Sequence, residues 1–297
     1  MKEMPFLCRN ADDRHNAMKS SRNIEIAVDS FQQVVQSIFP PTIRIQGVQP
    51  LGDGVHSLRV LRLSDNQQLI LKASPPSGVP LLRRERHSLE TEALALSLLG
   101  KSATPCIPRL HYYSRQRNCL GSSFLLRQYV RGKSLRDLGP SLSNEDRAKI
   151  DRRLGSLVQT IGSQTSPKFG TLDKVAAGAG THSWRLAFLG LFEELLHDAE
   201  DRFIHLPYGV IRQQILRLAP ALDSVTVSRL VIVDLGRQSK VILDPDSKEL
   251  NAIVDLGSAI WGDILMTDVF ESPSEALLAG FGSIGLETPS AAPRLLL

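Results

Sequence analysis

Three cysteines in 297 residues, none in a C-x-x-C spacing, give no basis for a disulfide framework or a zinc site. Cys8, Cys106 and Cys119 are also an odd number, which suits a reducing cytosol. No stretch approaches the roughly 20 uninterrupted apolar residues that span a bilayer. The most apolar run, 186–196, is broken by Gly190, Glu193 and Glu194. A signal peptide is not expected either, because the short start of the chain runs at once into Arg9, Asp12, Asp13 and Arg14. Charge of one sign is scarce: 35 Lys and Arg against 31 Asp and Glu leave +4, too small and too scattered an excess to argue for nucleic acid. Seven histidines form no pair at helical metal spacing, and neither a G-x-S-x-G nor a Walker sequence occurs. There is no internal repeat. What remains is 42% hydrophobic and 22% charged residue, enough to bury a core and to exclude disorder throughout. The expectation is a soluble, cytoplasmic chain with two domains or one two-lobed domain.

Along the chain, residues 1–22 read as a loose tail. Val28, Phe31, Val35 and Ile38 mark one face of a short helix ended by Pro40 and Pro41. A strand is expected at 43–48. Two more, joined by the turn 64–67, are expected around 58–63 and 69–71. Between them lies a loop with Gly52 and Gly54. Residues 83–99 predict a helix stopping at Gly100, followed by strands at 109–114 and 123–129. Beyond Gly132 the pattern is helical, with stripes Ile150, Leu154, Leu157, Ile161 and Trp184, Phe188, Leu191, Leu195. Strand character returns at 230–233, 241–243 and 252–254, the last two joined by a turn at 244–247. Trp184 and Trp261 read as packing anchors. The organisation expected is a tail (1–22), a sheet-rich half with one helix (23–129), and a helical half with a late hairpin (130–297).

Charge placed in apolar surroundings is the chemical clue. Glu92 lies on the stripe Leu89, Glu92, Leu96, Leu99, where an unmatched carboxylate costs several kcal/mol. Lys72, at the end of an apolar strand, is the natural partner; alternatively Glu92 turns outward and Ala93 takes the buried position. Asp234 and Asp255 each close an apolar run. Singly, each reads as a turn cap. As a pair accompanied by Lys72 and Glu92, they read as carboxylates converging on a divalent ion and phosphate oxygens. These are the parts of a phosphoryl-transfer site.

With those residues in place, the chain resembles the aminoglycoside phosphotransferase and choline-kinase-like family. The resemblance covers residues 48–270. It rests on Leu51-Gly52-Asp53-Gly54-Val55, the strand ending at Lys72, Leu89-Glu90-Thr91-Glu92-Ala93, the hinge-like run 125–135, and above all Asp255 to Trp261-Gly262-Asp263. It implies a bilobal, protein-kinase-like α+β fold with an antiparallel-sheet N-lobe and a mainly helical C-lobe. It implies ATP and magnesium as cofactors, and a small-molecule hydroxyl as acceptor, with neither nucleic acid nor membrane as partner. By the same resemblance Gly52 and Gly54 cover the phosphates, Lys72 contacts them and Glu92 fixes Lys72. Gln128, Tyr129 and Val130 frame the adenine. Asp234 is the catalytic base and Asp255 the magnesium ligand. Two departures stand out. Where the family has His two residues before the base this chain has Ile232, so the loop loses a tether. Five residues after the base, Ser239 replaces the usual Asn and is a poorer ligand. Only thirty-four residues follow Asp263, so the C-lobe is expected to be short. These departures leave a catalytically degenerate binding or regulatory protein as the alternative.

Overall fold

The computed structural model describes residues 30–52, 54–75, 78–115, 120–282 and 290–297. The expected tail, Val28, Asp53, Cys8 and Cys119 lie outside these residues. By compactness the chain forms two units, Met1–Pro76 with Ser114–Leu126, and Ser77–Tyr113 with Arg127–Leu297.

In the first unit β1 (Ile45–Pro50), β2 (Ser57–Leu63) and β3 (Gln68–Ala73) are consecutive antiparallel neighbours. The turn between β2 and β3 falls where the sequence places it, with Asn66 in the left-handed region at φ 65°. Alternation along β3 decides its faces. Leu69, Leu71 and Ala73 join Phe31, Val34 and Val35 of the helical stretch 30–36 in one core, together with Leu61 and Leu63. Lys72 therefore lies on the other face with Ile70, and it is buried.

The helix expected from Arg83 begins later. Residues Arg83–His87 form a 3-10 turn, because the Arg83 N–H is drawn to the Asp198 carboxylate (2.9 Å) and the Leu82 N–H to Glu85 Oε2 (2.9 Å). Then α1 (Ser88–Lys101) runs past Gly100, which has no left-handed φ. The end comes at Ala103 (φ 48°), where the Thr104 N–H returns to the Leu99 carbonyl. From sequence this helix belongs with the N-terminal sheet. By compactness it falls in the second unit, where Ala95, Leu96 and Leu99 pack with Leu230 and Ile253.

The chain then forms β4 (Leu110–Ser114), β5 (Phe124–Gln128), the short β6 (Lys133–Ser134) and α2 (Asn144–Gly162). Ser143 and Asp146 cap α2 reciprocally, and Ile150, Leu154, Leu157 and Ile161 are all buried, as the spacing requires. On α3 (Trp184–Asp201) the second stripe holds only in part. Trp184, Ala187, Phe188 and Leu196 are inside, whereas Leu195 is 50% exposed. Trp184 packs between Phe169 and Phe188. After α4 (Tyr208–Leu218) come β9 (Ser228–Ile232), β10 (Val241–Leu243), β11 (Leu250–Ile253) and β12 (Ala259–Gly262). The single late hairpin expected from sequence is an underestimate. β11-β10-β6 form one small sheet, and β9 and β12 pair at the centre of another between β7 (Thr165–Ser166) and β8 (Gly170–Thr171).

Helix α5 (Glu275–Phe281) lies directly on α2. A Cβ at Gly155 would stand 2.1 Å from the Leu277 carbonyl oxygen, and one at Gly280 2.0 Å from that of Arg152. The two backbones thus touch through glycine. Gly155→Ala is expected to force the helices apart and to lower unfolding free energy by about 1–3 kcal/mol, measurable by urea denaturation.

Candidate active site

Two strand registers assemble the site. β9 and β12 run antiparallel with Ile232 opposite Ala259, so residues leaving β9 meet residues about to enter β12. Asp234 stands there and accepts a hydrogen bond from the Ser258 hydroxyl. β10 and β11 pair Val241 with Ile253, which sets the residue before one strand beside the residue after the other. Accordingly the Val254 N–H donates to the Lys240 carbonyl at 3.0 Å. The next residue, Asp255, adopts φ 61°, a left-handed conformation that Asp tolerates better than most side chains. Its carbonyl and its carboxylate both come to Lys240.

Lys240 joins the two halves. Its Nζ is 2.8 Å from Asp234 Oδ1, 2.7 Å from Asp234 Oδ2, 2.8 Å from the Asp255 carbonyl oxygen and 3.1 Å from Asp255 Oδ2. The lysine is buried, while the Asp234 and Asp255 side chains are 26% and 47% exposed. Both carboxylates therefore reach the surface, with one ammonium beneath them.

The loop between Asp234 and Lys240 is held from below. Gly236 donates its N–H to Asp268 Oδ1 at 2.6 Å, and the Asp268 N–H donates to the Val233 carbonyl at 2.7 Å. A Cβ at Gly236 would sit 3.0 Å from that carboxylate oxygen, so glycine admits the approach. Burial pushes the Asp268 carboxyl up from its ordinary range; the Gly236 N–H opposes this, and the nearby Asp234 charge adds to it. Ile232, at the position where a tether was expected to be lost, is buried in β9. Asp268 supplies a tether from another part of the chain.

The remaining sequence-predicted residues are placed as follows. Ser239 is exposed on the loop, beside Lys240. Glu92 is fully buried on α1, and so is Ala93, which removes the alternative in which Glu92 turns to water. Arg127 Nε lies 3.6 Å from Glu92 Oε1, both side chains buried; burial pushes the Arg127 guanidinium down, and the charges of Glu92 and Asp255 oppose that. In the first unit Lys72 is buried in β3, and Gly52 (φ 73°) and Gly54 are exposed in the loop before β2. Gln128 ends β5 and exchanges hydrogen bonds with Arg109, and Tyr129 and Val130 follow it half-buried.

Lys240, Arg127 and Asp268 are the residues that sequence reasoning missed. Lys240 had a signal: a lysine abutting the apolar run 241–243, the mirror image of Lys72 behind 69–71. Its neighbour Ser239 is the residue five places after Asp234.

The donor set does not fit a divalent ion between Asp234 and Asp255. Magnesium takes oxygen ligands at about 2.0–2.1 Å, and the oxygens that would bridge it are already bonded to the Lys240 ammonium. Among the described residues no group of three or more His, Cys, Asp or Glu is arranged to hold a metal.

Comparison with known proteins bears on the family and the fold. A family model described as "Phosphotransferase enzyme family" matches residues 47–266. Macrolide 2'-phosphotransferase from Brachybacterium faecium is similar in structure, at TM-score 0.54 and 16% identity, over 90% of this chain and 87% of that one. The streptomycin–ATP ternary complex of aminoglycoside phosphotransferase APH(2'')-IIa gives 0.57 and 15%, over 89% and 84%. A thermostable mutant of aminoglycoside phosphotransferase APH(4)-Ia, in ternary complex with AMP-PNP and hygromycin B, gives 0.56 and 16%, over 80% and 74%. Identities this low establish the α+β, protein-kinase-like fold, with its N-terminal antiparallel sheet and helical C-terminal part, and carry no substrate with them. No curated protein matches the chain.

Proposed function

Because this chain belongs to the phosphotransferase enzyme family, we propose that it transfers the γ-phosphoryl group of ATP to a hydroxyl group of a small molecule. The observation that carries this reading is the meeting of Asp234 and Asp255 at Lys240. In the reaction the acceptor oxygen bonds to the γ-phosphorus, the bond from that phosphorus to the β,γ-bridging oxygen breaks, and ADP leaves. Asp234, partly exposed and fixed by Lys240 and Ser258, takes the proton of the acceptor hydroxyl. Fixed positive charge and positioning do most of the work in such transfers. Lys240 holds one such charge at the carboxylates, and Lys72 is assigned to the phosphate oxygens. Glu92 is a buried counter-charge, Gly52 and Gly54 bring backbone N–H groups to the phosphates, and Gln128, Tyr129 and Val130 line the base. ATP as donor is supported by the nucleotide-bound relatives. A cytosolic setting suits this donor, and among the described residues no helix is long and apolar enough to cross a membrane.

A second reading, nucleotide binding without turnover, is favoured by Ile232 and by the exposed Ser239 in the catalytic loop. Thermal shift tests what the two readings share. Nucleotide at 100 times its Kd adds about 2.7 kcal/mol of stability, expected as a rise of several degrees in Tm that Lys72→Ala abolishes. No rise at millimolar ATP, with or without magnesium, overturns both. An ATP-consumption screen against hydroxylated metabolites then separates them.

A further inference from the structure

We propose that the Lys240 ammonium permanently fills the cation position between Asp234 and Asp255, so that this carboxylate pair takes no divalent metal. The inference rests on the reading above only in treating the pair as the phosphate-end carboxylates.

Geometry is the first support. Nζ lies 2.7–3.1 Å from both oxygens of Asp234 and from Oδ2 of Asp255, so a metal ion bridging these oxygens would overlap the nitrogen. Donor count is the second. An ammonium has three N–H groups, and Asp234, the Asp255 carboxylate and the Asp255 carbonyl receive them. The nitrogen thus needs no water, consistent with its burial. Anchorage is the third. The Lys240 N–H donates to the Arg237 carbonyl at 2.8 Å, and the Lys240 carbonyl accepts from Val254 at 3.0 Å. The backbone is clamped on both sides, and the stem leads into a fully satisfied position. A metal's +2 would face the resident ammonium at close range, with Arg237 Nη1 a second positive group 3.9 Å from Asp234 Oδ2.

The test uses Mn2+ alone, read by the loss of its free-ion EPR signal on titration into the full-length protein without nucleotide. Wild type is expected to bind no Mn2+ at this pair, so that Asp255→Asn leaves its titration unchanged. Lys240→Asn is expected to bind Mn2+ at least tenfold more tightly than wild type, and the added Asp255→Asn change to remove that gain. Lys240→Arg, which keeps the charge, should behave as wild type. A wild-type signal loss that Asp255→Asn abolishes overturns the proposal without requiring a Lys240 variant. So does a folded Lys240→Asn protein, verified by circular dichroism, that gains no Mn2+. Neither result depends on nucleotide binding, which the thermal-shift measurement addresses separately.

Discussion

Asp234→Asn is expected to lower the rate of phosphate transfer to the acceptor by about 10²- to 10⁴-fold, the usual contribution of a positioned general base. An amide keeps the shape of the carboxylate and still accepts hydrogen bonds from Ser258 and Lys240, so nucleotide affinity should change little. The loss should appear in kcat with KM for ATP nearly constant, the signature of an interaction realised in the transition state. Equal turnover by wild type and variant in an ATP-consumption assay would remove Asp234 from the chemistry. Absence of turnover by the wild type itself would leave the nucleotide-binding reading alone. The carboxylate is 26% exposed above a buried lysine, so it has a solvent-facing side.

Arg294→Met is expected to cost about 3–5 kcal/mol of stability at neutral pH, the scale for removing one partner of a buried ion pair. Arg294 lies on α6 (Ala291–Leu295), its Nη1 3.4 Å from Asp263 Oδ2, with both side chains less than a tenth exposed. Asp263 also caps the turn after β12 by accepting the Leu265 N–H at 3.2 Å. Burial pushes its carboxyl above the ordinary value of 3.8, with Arg294 and the Leu265 N–H opposing. The sign follows from proton linkage. A carboxyl raised in the native state holds its proton there more tightly than in the unfolded chain, so its contribution to stability falls as pH rises from 3.8 through the native value. Removing Arg294 extends that fall to higher pH. The difference between wild type and Arg294→Met should therefore shrink as acid neutralises Asp263 and grow toward pH 7. Urea midpoints across that range measure it, and a difference independent of pH would detach Arg294 from Asp263.

The Trp261-Gly262-Asp263 run leads from β12 into that ion pair. It is the most specific part of the resemblance to phosphotransferases, and its carboxylate is nevertheless turned inward to an arginine and a backbone N–H. Trp261 and Trp184 are buried as well.

Much of this protein follows from local pattern. Apolar runs meeting Lys72, Asp234 and Asp255 predicted strands flanked by charge, and the stripe through Glu92 left two outcomes, a buried carboxylate or one turned outward. A period of two or of 3.6 places a side chain on a face without knowledge of its neighbours, and burial of that face follows. Partners obey no such rule. Arg127 is 35 residues from Glu92, Asp268 is 32 from Gly236, and each pair meets only because strands and loops from different stretches pack together. Lys240 shows the difference most plainly. Beside an apolar strand its sequence fits a solvated flank equally well, and only the registers of β9 with β12 and of β10 with β11 set its nitrogen between two carboxylates. The amino-acid order thus determined which charges would stand beside apolar runs. Tertiary pairing decided which opposite charge each would meet, since the cost of burying an ion is met by whichever group the fold delivers within a few ångströms.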